Sequence, residues 1–235
     1  DLPLPASLEA SKVSIVWSIR LPRCLSAFLA GAALSASGTV MQSVLRNSLA
    51  SSYTLGVSSG ASLGAALVIV TGFSLPLIGA LTLPLFGFLF GLGTVLAVIG
   101  FAARMDRGLE NQTIILTGMV FSLFVNACMT LLSVLHQNYM QQLIRWQMGS
   151  FSGNGWEQVL ILLVVLAAGV LYLCCFTRQM DMMTFGEEAA RTMGVNTKRT
   201  KLHLIVAASL LTGTAVCFTG TIGFIDLIAP HVTRR

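Results

Sequence analysis

Apolar residues fill this chain in long blocks, and short polar stretches separate them. A helix needs about 20 apolar residues to cross a bilayer. Six runs come near that length: Cys24 to Leu45, Leu55 to Phe73, Leu77 to Ala103, Thr113 to Leu135, Val159 to Phe176 and Leu202 to Ile222. The runs are too long for barrel strands and do not alternate. Pro76 and Pro84 flank or kink the start of the third run. The pattern predicts an all-α, polytopic membrane protein. The polar interruptions are short, except for Thr177 to Lys201.

Composition agrees. The 235 residues are 55% hydrophobic and 10% charged, where a soluble domain carries about 25% charge. The net charge of +5 does not suggest nucleic acid, because the cations lie in loops between apolar runs. Cys24, Cys128, Cys174, Cys175 and Cys217 sit in or beside apolar runs without metal-ligand spacing, and read as packing residues.

Loop charge predicts orientation. The loops after runs one, three and five hold Arg46, Arg104, Arg107, Arg178, Arg191, Lys198, Arg199 and Lys201. The other side holds Lys12, Arg20, Arg23 and Arg145. The excess puts 177–201 in the cytoplasm and the N-terminal segment outside. The segment Gly31–Val40 echoes Gly213–Ile222, matching at Gly31/Gly213, Ala33/Ala215, Gly38/Gly220 and Thr39/Thr221. Opposite directions for the two copies are the sign of an inverted repeat, common in transporters.

Four features could carry chemistry, each beside a plainer reading. Small residues in the first run, and Gly56, Gly60 and Gly64 in the second, allow close helix packing or a thin-walled path. The break at Arg46-Asn47-Ser48-Leu49 reads as a turn or as a cytoplasmic gate. Within 177–201, Glu187 to Met193 reads as a short helix with acids in its first turn and Arg191 at its end, closed by Gly194. Met182, Met183, Phe185 and Met193 are expected to be exposed there, as on a protein-docking surface. Arg20 and Arg23 read as lipid anchors or as guanidinium forks for an acidic partner.

Gln42 and Asn126 are polar within helices and are expected to bond across them. Asp226 is the acid inside an apolar run, and no proton or sodium relay is legible. The chain has no Walker loop, no HExxH and no GxSxG. Catalytic residues, metal ligands and cofactors are therefore expected to be none.

Taken together, the motifs resemble the FecCD-type permease subunits of ABC importers for iron-siderophores, haem and cobalamin. The resemblance rests on Arg20-Leu21-Pro22-Arg23, on Gly31 through Gln42 with Arg46–Ala50 and Leu55-Gly56-Val57, on Gly186 through Val195, and on Gly220 through Val232. It covers essentially the whole chain. It implies a single transmembrane permease domain over 1–235, part of a ten-helix inverted-repeat fold. The match is expected to begin before the family's second helix and to end after its seventh. ATP hydrolysis would sit on a separate ATPase subunit. Further partners would be an extracytoplasmic substrate-binding protein and a second permease subunit, in the bacterial cytoplasmic (inner) membrane.

The resemblance also implies residue roles. Glu187, Glu188, Arg191, Met193 and Gly194 match an ATPase-coupling helix. Asn47 and Leu49 match one gate loop, and Asn111 and Gln112 the second. Arg20 and Arg23 match binding-protein docking arginines. Ser48 replaces a frequent Pro. Asp226 replaces a common Gly and would lie by the external side of the path. The expected substrate is a metal chelate: a ferric siderophore first, then haem or cobalamin. An ion-coupled secondary transporter is the alternative. An intramembrane enzyme would need a catalytic constellation that the sequence does not offer.

Overall fold

The computed structural model describes residues 13–76, 79–106 and 108–233. Lys12, Leu77, Arg107, Arg234 and Arg235 lie outside the described residues. The described residues form an all-helical bundle. A π-helical turn at Val16–Arg20 leads into α1 (Leu21–Val44), with Pro22 tolerated in the first turn. Then come α2 (Val57–Thr71), α3 (Thr82–Met105), α4 (Asn111–Leu135), α5 (Met140–Gln147), α6 (Trp156–Cys174), α7 (Thr177–Thr184), α8 (Glu187–Thr192), α9 (Thr197–Thr219) and α10 (Ile225–Thr233).

Among the described residues, five helical stretches are long and apolar enough to cross a membrane: Val13–Val44, Gly79–Met105, Asn111–Leu135, Trp156–Cys174 and Thr197–Thr219. The second predicted run is shorter. Helix α2 has 15 residues, about 22 Å against a hydrocarbon core of about 30 Å. It starts late because the preceding chain makes a 3₁₀ turn at Ser52–Leu55 and then passes Gly56 at φ +87°. That turn is already inside the bundle, where Ser52 hydrogen-bonds Ser37 of α1.

The centre of the bundle is built on close approach. A Cβ on Gly60 would sit 2.6 Å from Phe90 O, and one on Gly64 2.4 Å from Phe86 O. Helices α2 and α3 therefore pack backbone to backbone, the packing reading of that glycine stripe. Helices α1 and α9 are joined by buried hydroxyls: Thr212 donates to Ser37 (2.7 Å), which pairs with Ser52 (2.8 Å). Leu34, Val44, Leu204, Leu211 and Ala215 pack around this joint. The echo between Gly31–Val40 and Gly213–Ile222 does not carry through. Gly38 lies inside α1, whereas Gly220 ends α9 at φ +75°. Glycine is required at that exit, since a Cβ would sit 2.4 Å from Trp146 O.

Among the described residues four helices lie outside the predicted runs, and of these the charge pattern anticipates α8. Helix α5 is short and amphipathic, α7 lies in the charged stretch, and α10 follows the extended segment 220–223.

Candidate functional site

At one end of the bundle, the break after α1 meets the start of α4. Arg46 takes φ +49°, a left-handed conformation that reverses the chain sharply. The Asn47 carboxamide accepts from Leu49 N (2.9 Å), and Ala50 N donates to Asn47 O. Arg46, Asn47 and Ser48 face Asn111, Gln112 and Ile115 across a polar cleft of about 530 Å³. The structure thus brings three of the four gate candidates together. Leu49 is absent from the cleft lining and is 72% exposed.

The cleft is braced from the Thr177–Lys201 segment. Gly186, at φ +117°, caps α8 and lies beside the Arg46 guanidinium: a Cβ there would be 3.7 Å from Nη1. Glu187 and Glu188 occupy the first turn of α8 and Arg191 the last, as the helix dipole favours. Gly194 (φ +87°) closes it, with Gly194 N on Arg191 O and Val195 N on Ala190 O, both 3.0 Å. That pair of hydrogen bonds is a Schellman closure.

Lys201, in the first turns of α9, is a residue that sequence reasoning counted only as a loop cation. Its side chain is 1% exposed. The ammonium group donates to Glu187 and to Leu109 O (2.9 Å). Leu109 takes φ +52° in the turn that leads into α4. Two residues later stands Asn111, whose Oδ1 is buried without a partner among the described residues. Lys201 therefore ties α8 and α9 to the turn that carries half of the cleft. A lysine in a basic cluster gives no sign of burial. The signal available was its position directly before the apolar run 202–219.

The turn itself is held by Asp106, which accepts from Gly108 N (2.8 Å) and Glu110 N (2.7 Å). Those two backbone bonds, Glu110's first, hold its carboxyl below the ordinary aspartate range.

The outer face of α8 is exposed, with Arg191 Nε donating to Thr197 Oγ1 (3.0 Å). Glu188, Arg191, Met193 and Gly194 are exposed, and Phe185 is 78% exposed. One expectation needs correction: Met183 is buried, because 177–184 coils into α7 and turns that side chain into the bundle. Glu187 is only 23% exposed and is committed to Lys201, with Arg191 at 3.7 Å.

At the opposite end, Arg20 and Arg23 are exposed. The Arg23 guanidinium donates to Ser152 O (2.8 Å), in the loop before α6. The Trp17 and Trp156 rings pack nearby in a tilted arrangement, with centroids 5.2 Å apart.

Asp226 is fully buried and lies deep in the bundle, not at the Arg20 end. A Cβ on Gly38 would meet Asp226 O at 1.8 Å, and Gly38 is six residues short of the end of α1 that carries the break. The resemblance implied a place by the external side of the path for Asp226. The segment 220–224 instead returns into the bundle, and Tyr53 OH bonds Ile222 O on the way (2.8 Å). Ser51 donates to one Asp226 oxygen, and the other has no partner among the described residues. Gln42 bonds Leu227 O (3.3 Å), so it does reach across helices. Asn126 makes no such side-chain bond and is exposed.

The sequence profile of the FecCD transport family matches residues 4–235. An ABC transporter permease protein of Bacillus subtilis, YvrB, is 41% identical over 221 residues, 94% of this chain and 63% of that protein. The hemin transport system permease HmuU of Yersinia pestis is 34% identical over 221 residues, 93% of this chain and 66% of HmuU. The vitamin B12 import system permease BtuC of Yersinia pseudotuberculosis is 35% identical over 228 residues, 96% of this chain and 66% of BtuC. The chain thus spans about two thirds of the length of these relatives. A solved structure, described as an inward-facing conformation of a metal-chelate type ABC transporter, superposes with a TM-score of 0.86. It is 29% identical and covers 100% of this chain and 72% of its own.

Proposed function

The chain belongs to the FecCD transport family and is a multi-pass membrane protein, and from that premise we propose that it is the permease subunit of a binding-protein-dependent ABC importer for a metal chelate. The observation that carries this reading is the Lys201 joint. One buried ammonium group links α8, through Glu187, to the Leu109 carbonyl beside Asn111. On the other side, Gly186 abuts Arg46, next to Asn47. A displacement of α8 would therefore reach both walls of the cleft.

In this reading the exposed face of α8, with Glu188, Arg191 and Met193, docks on a separate ATPase subunit. Glu187 and Gly194 shape the helix rather than meet the partner. Asn47, Asn111 and Gln112 form the cytoplasmic gate, with Leu49 beside it. Arg20 and Arg23 at the external end receive acidic groups of an extracytoplasmic binding protein. A second permease subunit would complete the path. The chemistry of ATP stays on the ATPase, and this chain converts its motion into gating. Hemin and vitamin B12 relatives support a chelate substrate, and a ferric siderophore is our first candidate.

The test is Glu188→Arg in the assembled transporter. Uptake should be lost while the isolated ATPase keeps its hydrolysis. Unchanged uptake would remove the docking role from α8. The buried carboxylate of Asp226 favours a second reading, an ion-coupled transporter, since an acid inside a bundle is a common ion site.

A further inference from the structure

An apolar groove of about 620 Å³ runs along the bundle between α6 and α9, with Phe88 of α3 in its wall. Ala168, Gly169 and Ala207 keep its floor low. Its polar lining residues are Thr214, Tyr172 and His203. The Thr214 hydroxyl is committed to Leu210 O (2.8 Å), and Tyr172 OH is bonded to His203 Nδ1 (2.9 Å). Below that pair the groove offers no open hydrogen-bonding side chain, so it suits hydrocarbon rather than a polar solute. A smaller apolar crevice of about 280 Å³ continues it past Phe88, Val165 and Thr214.

The wide part is one leaflet deep. His203 and Thr214 are eleven residues apart on α9, about 16 Å along the axis, against about 15 Å for half of the hydrocarbon core. Its rim lies at the end of the bundle that carries 177–201. There Phe176 stacks on His203, with ring centroids 5.7 Å apart, and aromatic groups with a polar edge suit the membrane–water boundary. Arg199 stands one turn nearer that end than His203, on the same face of α9. Arg178 follows Phe176 by two residues. Both arginines are exposed, and the ion pairs of that end, Glu187 with Lys201 and with Arg191, leave them out. Neither guanidinium has a hydrogen bond among the described residues. A groove for hydrocarbon thus opens beneath two uncommitted cations.

We propose that this groove is a binding site for one anionic phospholipid. An acyl chain lies between α6 and α9, and the phosphate sits at the rim against Arg199 and Arg178. Guanidinium groups match phosphate oxygens in geometry and in charge. When Tyr172 donates to Nδ1, the His203 proton is on Nε2, which then donates to the same headgroup. A zwitterionic headgroup brings its own cation and gains less from the two arginines. A second copy of the chain, or another helix, would need a groove about 10 Å wide through the whole core of about 30 Å. This one shrinks to the smaller crevice beyond Thr214. The inference stands apart from the importer reading and requires only that α6 and α9 cross a membrane.

The experiment reconstitutes the full-length permease in nanodiscs of equimolar dioleoyl phosphatidylglycerol and dioleoyl phosphatidylcholine. Native mass spectrometry after release into detergent then counts the retained lipids. One phosphatidylglycerol per chain is expected, preferred about tenfold over phosphatidylcholine. Arg199→Gln should cut that preference about fivefold, and Arg178→Gln/Arg199→Gln should abolish it. Arg145→Gln, an exposed cation at the opposite end, should leave it unchanged. Ala168→Phe fills the groove from an exposed position and should displace the lipid with the helical circular dichroism unaltered. No preference in the unaltered protein, an equal loss in Arg145→Gln, or full retention in Ala168→Phe would overturn the site. A dimer mass that disappears in Ala168→Phe would give the groove to a second copy and overturn it as well.

Discussion

Glu187 and Lys201 form an ion pair in which the two partners are unequally buried. The lysine side chain is 1% exposed and the glutamate 23%. Glu187 also has Arg191 at 3.7 Å and access to water. Among the described residues Lys201 hydrogen-bonds Glu187 and the Leu109 carbonyl, with the Asp106 carboxylate further off in its field. Removing the glutamate therefore leaves a buried cation without its contacting anion, while removing the lysine leaves an anion that water can reach.

Glu187→Gln should accordingly destabilise more than Lys201→Met. Stranding the poorly solvated partner costs about 3 kcal/mol, and stranding the better-solvated one costs less. Melting temperatures in detergent give the order. Equal losses, or a larger loss for Lys201→Met, would mean that the pair is not the joint described here. The double substitution should recover part of the Glu187→Gln loss.

The Gly38–Asp226 approach predicts a steric effect. Gly38→Ala places a methyl group 1.8 Å from a backbone oxygen, and no rotamer change relieves that. Helix α10 must shift, and a loss of about 3 kcal/mol is expected, as for overpacked cores. Cysteine cross-linking between α1 and α10 would register the displacement. Unaltered cross-linking and stability would contradict the packing.

Asp226→Gly acts in the opposite sense. The carboxylate is buried, one oxygen is unpaired, and Ser51 is its hydrogen-bond donor. A buried acid without full hydrogen bonding lowers stability. The substitution should leave the melting temperature unchanged or raise it, while loosening the tie between α10 and the Ser51 turn. A large fall would show that the carboxylate is a structural keystone.

Asp106 gives a pH-dependent prediction. Its carboxyl is held below the ordinary range by the amides of Glu110 and Gly108. With the folded value depressed, the stabilisation is complete above the unfolded value of about 3.9. It is lost as pH falls through the lowered folded value. Peptide amide protection at Gly108 and Glu110 should persist from neutral pH to about 4 and collapse only below that. Asp106→Asn should flatten this profile, and a profile unchanged by the substitution would refute it.

The two arginines at the other end should separate. Arg23 holds the 149–155 loop through Ser152 O, whereas Arg20 is exposed at the end of a π-helical turn. Arg20→Glu should weaken binding-protein docking with the melting temperature unchanged. Arg23→Glu should lower both. Docking affinity unaffected by either would leave them as lipid anchors.

How much of this was legible follows from what each element depends on. Helices α1, α3, α4, α6 and α9 announce themselves by apolar length alone, because lipid solvates them. Helix α2 is shorter than its apolar run by two residues at each end, because Leu55 closes a 3₁₀ turn and Gly72 ends the helix at φ +64°. Helix α8 was legible through its charges and Gly194, as local capping is written locally. The pairing of Asn47 with Asn111 and Gln112 came from the resemblance, and the structure brings those side chains to one cleft. Lys201 was missed because its burial exists only when α8, α9 and the Leu109 turn meet. Asp226 was misplaced because nothing in its neighbours tells that the chain turns back after Gly220.

The most direct test is chelate uptake into proteoliposomes that hold the full-length permease with its ATPase and binding protein. Uptake should require ATP, continue when ionophores abolish ion gradients, and stop in Glu188→Arg. Uptake that survives without ATP and collapses with the ion gradient would contradict the account and favour an ion-coupled transporter.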